Sequence, residues 1–135
     1  MKSRETLIRV QRFNVDEKRR QLADIDLMIT EFKQKQADLN HQIEVEQERA
    51  GISDVTHFAY PTFAKAAIGR RENLATSIAG LETQRHDAAE QLSDVVAELK
   101  RLELLNERDQ TRRRTAAAAA SRYARLVPRI ARRHI

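Results

Sequence analysis

Along the first half of the chain, two rows of positions recur every seven residues. Ile8, Val15, Leu22, Ile29, Gln36, Ile43 and Ala50 form one row, and Gln11, Lys18, Ile25, Phe32, Leu39 and Glu46 form the other, three residues later. Together they make the a/d seam of a coiled coil, strongest between Leu22 and Ile43 and interrupted near the N-terminus by Gln11 and Lys18. The second half repeats the pattern. Tyr60, Ala67, Leu74, Leu81, Ala88, Val95 and Leu102 lie on one row, and Ala64, Arg71, Ile78, Arg85, Leu92, Leu99 and Asn106 on its companion. Between the halves the period breaks at AGISDVTHFAYPTFAKA, where Gly51 suits a left-handed helix end and Pro61 suits a first helical turn. Ser3 is the expected N-cap of the first helix.

The predicted fold is all-α: a long antiparallel two-helix coiled-coil hairpin with a basic C-terminal helical extension. Its helices are expected over about 3–50 and 61–109, the turn over 51–60 and the extension over 110–135. Sliding one helix by a heptad preserves the period, so the seam alone leaves the register open. Gly51 and Pro61 set it, because they lie nearly symmetrically about a fold point near Val55. Partners then have numbers summing to about 110: Ile8 with Leu102, Val15 with Val95, Leu22 with Ala88, Ile29 with Leu81, Phe32 with Ile78 and Ile43 with Ala67. Each arm is about 48 residues, or about 70 Å at 1.5 Å per residue. Residues beyond about 109 have no partner on the first helix. The same seams also serve two chains that exchange helices, so hairpin and trans-paired dimer both stand at this stage.

Polar residues on the seam, namely Gln36, Lys18, Arg71, Arg85 and Glu46, are expected to lay their stems along it and carry their heads to water. The turn presents a different puzzle, because Phe58, Tyr60 and Phe63 supply three of the six aromatic residues in a chain that is only 4% aromatic. Rings there close the open seam layers as a plug, with part of the cluster available as a docking surface.

Composition supports extended helices over a conventional globular core: 33% of residues are charged, with three Gly and two Pro. With no cysteine, disulfide frameworks and thiolate metal sites are excluded. No apolar run reaches the length of a membrane span, and MKSRETLIRV lacks the hydrophobic core of a secretory signal, so the cytoplasm is the expected compartment. The formal charge of +5 conceals two unlike segments. Residues 1–107 carry 16 Lys and Arg against 19 Asp and Glu, whereas residues 108–135 carry nine Arg against Asp109 alone.

Little in the chain points to catalysis or cofactor binding. Ser53, Asp54 and His57 are triad residue types crowded into one turn, without an oxyanion scaffold or a pocket-forming core, and Ser53 and Asp54 read instead as turn caps. His41, His86 and His134 are too far apart to form a metal site, and no phosphate-binding GxxxxGK[ST] loop is present. The expectation is a non-enzymatic protein without cofactor, metal or small-molecule substrate. Arg112, Arg113, Arg114, Arg122, Arg125, Arg129, Arg132 and Arg133 admit three readings: a nucleic-acid arm with Tyr123 for stacking, a membrane-surface helix using Leu126, Val127 and Ile130, or a continuation of the second helix to Pro128. The five consecutive alanines favour continuation, so nucleic acid is not the expected partner and membrane association is expected to be indirect.

The opening SRETLIRVQRFNVDEKRRQLADIDLMI and the turn AGISDVTHFAYPTFAKAA resemble the FliJ family of flagellar type III export proteins in its alphaproteobacterial form. The similarity covers roughly residues 3–110, is most specific in the turn, and stops at the Arg- and Ala-rich segment. The resemblance implies an antiparallel coiled-coil stalk of the hexameric flagellar export ATPase, whose free helix ends enter the ring. It further implies contacts with the membrane-embedded export gate and with export chaperones, and a location at the cytoplasmic face of the inner membrane through that apparatus. Phe58, Tyr60, Phe63, Arg112, Arg113 and Arg114 are the expected partner-binding residues. The alternative function is a coiled-coil nucleic-acid-binding protein acting through its Arg-rich tail.

Overall fold

The computed structural model describes residues 2–127, which form two helices, α1 (Lys2–Ala50) and α2 (Thr62–Leu126), paired as an antiparallel helical hairpin. No Gly or Pro interrupts α1, and Glu, Gln and Arg are the commonest residues of α1 and Ala, Arg and Leu of α2, so backbone propensity and the seam point the same way. Among the described residues, pairing falls into two compact units, residues 16–93 and residues 2–15 with 94–127.

In the unit of residues 16–93, Ile29, Ile43, Tyr60, Ala64, Ala67, Ile78, Leu81 and Ala88 are buried, and Leu22, Ile25, Phe32, Leu39, Leu74 and Leu92 are half-buried. Polar contacts across the seam report its register. Lys18 Nζ donates to Gln91 Oε1 at 2.9 Å, Arg71 Nη1 donates to Asn40 Oδ1 at 3.0 Å, and Arg85 pairs with Asp26. Those partners sum to 109, 111 and 111, which matches the expected fold point. Ile29 therefore stands opposite Leu81 and Ile43 opposite Ala67. Large side chains meet small ones where the helices converge on the turn, and that alternation lets a two-helix seam interdigitate.

In the other unit, Ile8, Val15 and Leu102 are buried and Val95 is half-buried. Arg4 pairs with Asp109 and donates to the Leu105 carbonyl at 3.4 Å, while Arg12 lies 3.7 Å from Glu103. Arg101 grips Glu98 one turn back through two hydrogen bonds of 3.0 and 2.6 Å, and that hydrogen bonding holds the Glu98 carboxyl below the usual glutamate range. The N-terminal expectation is corrected: α1 begins at Lys2, so Ser3 lies inside the first turn, where Thr6 Oγ1 already donates to the Lys2 carbonyl at 2.9 Å.

No charged or polar side chain is buried among the described residues. Lys18, Arg71 and Glu46 are half-buried and Arg85 is exposed, each with its polar head engaged at the edge of the seam. Such exposed pairs are worth little individually, at about 0–1 kcal/mol. Apolar burial holds the helices together, and the polar pairs disfavour slipped registers that would separate them.

Candidate partner-binding surfaces

The turn is built residue by residue from local hydrogen bonds. α1 ends on Gly51 at φ +69°, a left-handed conformation that closes the helix as its N–H donates to the Glu48 carbonyl at 3.3 Å. Asp54 then organises the next bend: its Oδ1 accepts from the Thr56 N–H at 3.0 Å and from the Thr56 hydroxyl at 2.7 Å. His57 N–H donates to the Asp54 carbonyl and Tyr60 N–H to the His57 carbonyl, each at 3.1 Å, while Ala59 N–H donates to His57 Nδ1 at 3.0 Å. Pro61 precedes α2, and its carbonyl accepts the helical N–H of Lys65 at 3.1 Å. Asp54 and His57 are thus committed to backbone geometry.

The two hydrogen bonds from Thr56, the hydroxyl first, hold the Asp54 carboxyl below the usual aspartate range. Because it titrates lower in the folded turn than in the unfolded chain, its contribution is complete above the ordinary aspartate range. It disappears as pH falls through the depressed folded value. Protection of the Thr56 amide, its exchange rate relative to an unstructured chain at the same pH, is expected to fall across that acidic window and to be low at every pH in Asp54→Ala. A Thr56 amide equally protected in the variant and the native chain contradicts this account.

Of the three turn rings, only Tyr60 enters the seam. It is 7% exposed, lies one turn before the fully buried Ala64, and its hydroxyl receives a hydrogen bond from Gln47 Nε2 at 2.9 Å. Phe58 is 96% exposed and Phe63 52% exposed. The expected three-ring plug is therefore corrected to a single ring. One tyrosine fills the layer above Ala64, and the turn satisfies its own backbone, leaving no layer for the other two. Phe58 stacks on His57 with centroids 4.7 Å apart and, with the exposed Val55 and Phe63, gives the turn an apolar outer surface.

At the other unit, α2 runs on beyond the Arg4–Asp109 pair as a helix to Leu126, and every residue from Thr111 to Leu126 is exposed. Arg112, Arg113 and Arg114 stand on this segment, well separated in sequence from Phe58, Tyr60 and Phe63 on the turn. Arg129, Arg132, Arg133, Ile130, Pro128 and His134, considered in the sequence, lie outside the described residues. Seam reasoning passed over a third surface. Leu7, Val10 and Phe13 are all exposed along the first turns of α1, winding from the flank of the seam to its back at i, i+3, i+6 spacing. Their signal was an apolar residue at three off-seam positions spaced three apart, among polar and charged neighbours.

Among the described residues, no group of three or more His, Cys, Asp or Glu side chains is placed to hold a metal ion, and no helix is long and apolar enough to cross a membrane. No family model, curated protein or solved structure matches the chain.

Proposed function

We propose that this protein is a non-enzymatic subunit of the flagellar type III export apparatus, a coiled-coil stalk that engages the hexameric export ATPase and the export gate and receives chaperones carrying export substrates. It works in the cytoplasm, held at the inner face of the membrane through that apparatus. The observation that carries the proposal is the exposed Leu7, Val10 and Phe13 strip on α1, in the unit where α2 outruns its partner. Apolar side chains left half or more exposed outside the seam add less to hairpin stability than seam residues do, whereas a strip of them suits a protein partner. A ring that grips free helix ends requires such side chains there. The resemblance of residues 3–110 to the FliJ family supplies the identity of that partner.

Val10→Ser/Phe13→Ser is the test, because both side chains are already exposed and the hairpin has no need of them. Helicity and melting temperature should remain within experimental error of the native protein. Co-purification with the flagellar export ATPase should fall at least about tenfold, equivalent to about 1.4 kcal/mol, and swimming in soft agar should fail. Full motility in a strain lacking the gene rejects the export role outright.

A further inference from the structure

We infer that the unpaired part of α2, Gln110–Leu126, is a binding element for double-stranded DNA that lies in the major groove and contacts phosphates without reading sequence. This inference is independent of the export proposal. Beyond Asp109 this helix carries Arg112, Arg113, Arg114, Arg122 and Arg125 with no acidic residue, and all of it is exposed. None of these arginines forms an ion pair within the chain among the described residues. Unpaired guanidinium groups on a preformed helix seek an acidic or phosphate-bearing partner.

The distribution of charge around the helix chooses among such partners. At about 100° per residue, Arg112, Arg113 and Arg114 leave the helix on three different sides, and Arg122 lies about 180° round from Arg113. A helix on an anionic membrane needs its cations on one side and a broad apolar face on the other. Here Leu126 is the only large aliphatic residue between Gln110 and Leu126, and no face is free of arginine. An acidic protein surface likewise presents charge to one side of a helix. A groove with phosphate walls on both sides is met by arginines on both sides.

Size agrees with this assignment. Between the two arginine groups the helix is Ala116–Ala120, the slimmest side chains that keep helical propensity, spanning about 12 Å from Arg114 to Arg122 at 1.5 Å per residue. An ordinary helix is about 10–12 Å across with side chains, and the major groove of B-form DNA is about 12 Å wide. The alanine segment therefore seats deeply, while the flanking arginines reach the backbones. Ala offers no hydrogen-bonding group to base edges, so affinity comes from phosphates and is insensitive to sequence.

Fluorescence anisotropy of the full chain with a labelled duplex of about 20 base pairs tests the inference. With up to five phosphates neutralised, log K should fall against log salt with a slope of about −4 to −5, a loss of a few hundred-fold between 50 and 200 mM. Arg112→Gln/Arg113→Gln/Arg114→Gln should reduce the slope by about 3, with helicity by circular dichroism checked to be retained. Duplexes of unrelated sequence should bind alike. A slope unchanged by the triple substitution overturns the assignment. So does tighter binding to single strands that is lost in Tyr123→Ala, or displacement of the duplex by phosphatidylglycerol vesicles or poly-glutamate at equal charge.

Discussion

Ala64→Asp is expected to cost about 3 kcal/mol or more and to lower the melting temperature by about 10 °C, measured by urea and thermal denaturation. Ala64 is fully buried, one turn after Tyr60, and the register of the unit of residues 16–93 sets it opposite Glu46. A carboxylate there has no space, lacks a hydrogen-bond donor and meets a like charge. It also displaces the one ring that closes the seam at the turn. Ala66→Asp, two residues on and exposed, carries the same loss of helix propensity and should change stability by no more than about 0.5 kcal/mol. The difference between the two variants isolates burial from propensity. Burial and Glu46 both raise the folded pKa of an aspartate at position 64, so the folded state of the variant binds the proton more tightly than the unfolded chain. Its deficit should therefore shrink as pH falls. Equal stability of Ala64→Asp and Ala66→Asp denies that the seam closes at this layer.

The seam was legible because its determinants are periodic. Ile8, Ile29 and Ile43 announce themselves by spacing, and their partners Leu102, Leu81 and Ala67 follow once Gly51 and Pro61 locate the reversal. Gly51 is readable for a physical reason: it takes a positive φ that other residues enter at a cost. The candidate surfaces were less legible. Composition marks Phe58, Tyr60 and Phe63 as one cluster; only Tyr60 stands on a seam row, and whether the other rings join it inward is not set by the period. That choice depends on the space above Ala64 and on the Gln47 hydrogen bond, both products of the folded register. Leu7, Val10 and Phe13 are individually unremarkable off-seam residues. They become a surface only when the pairing of α1 with α2 leaves them uncovered.

Ile29→Cys/Leu81→Cys, oxidised, is expected to give a cross-linked monomer about 4 kcal/mol more stable than the same protein reduced, because the bond closes a loop of about 50 residues in the unfolded chain. Both native side chains are buried and stand opposite one another; on α1 the Arg85–Asp26 pair and the 3.6 Å Lys33–Glu82 pair lie on either side of Ile29. Comparing oxidised with reduced forms cancels the packing lost with isoleucine and leucine, which affects both equally. The heptad pattern is equally satisfied by helices exchanged between two chains, and chemistry at this one layer separates the cases. Within one chain, oxidation proceeds at a rate independent of protein concentration, and the product migrates as a compact monomer on a non-reducing gel. Between two chains, it yields disulfide-linked dimers whose formation and melting temperature rise with concentration. Dimers as the principal product would overturn the hairpin as the folded unit, and with it the opposition of Ile43 to Ala67 within one molecule.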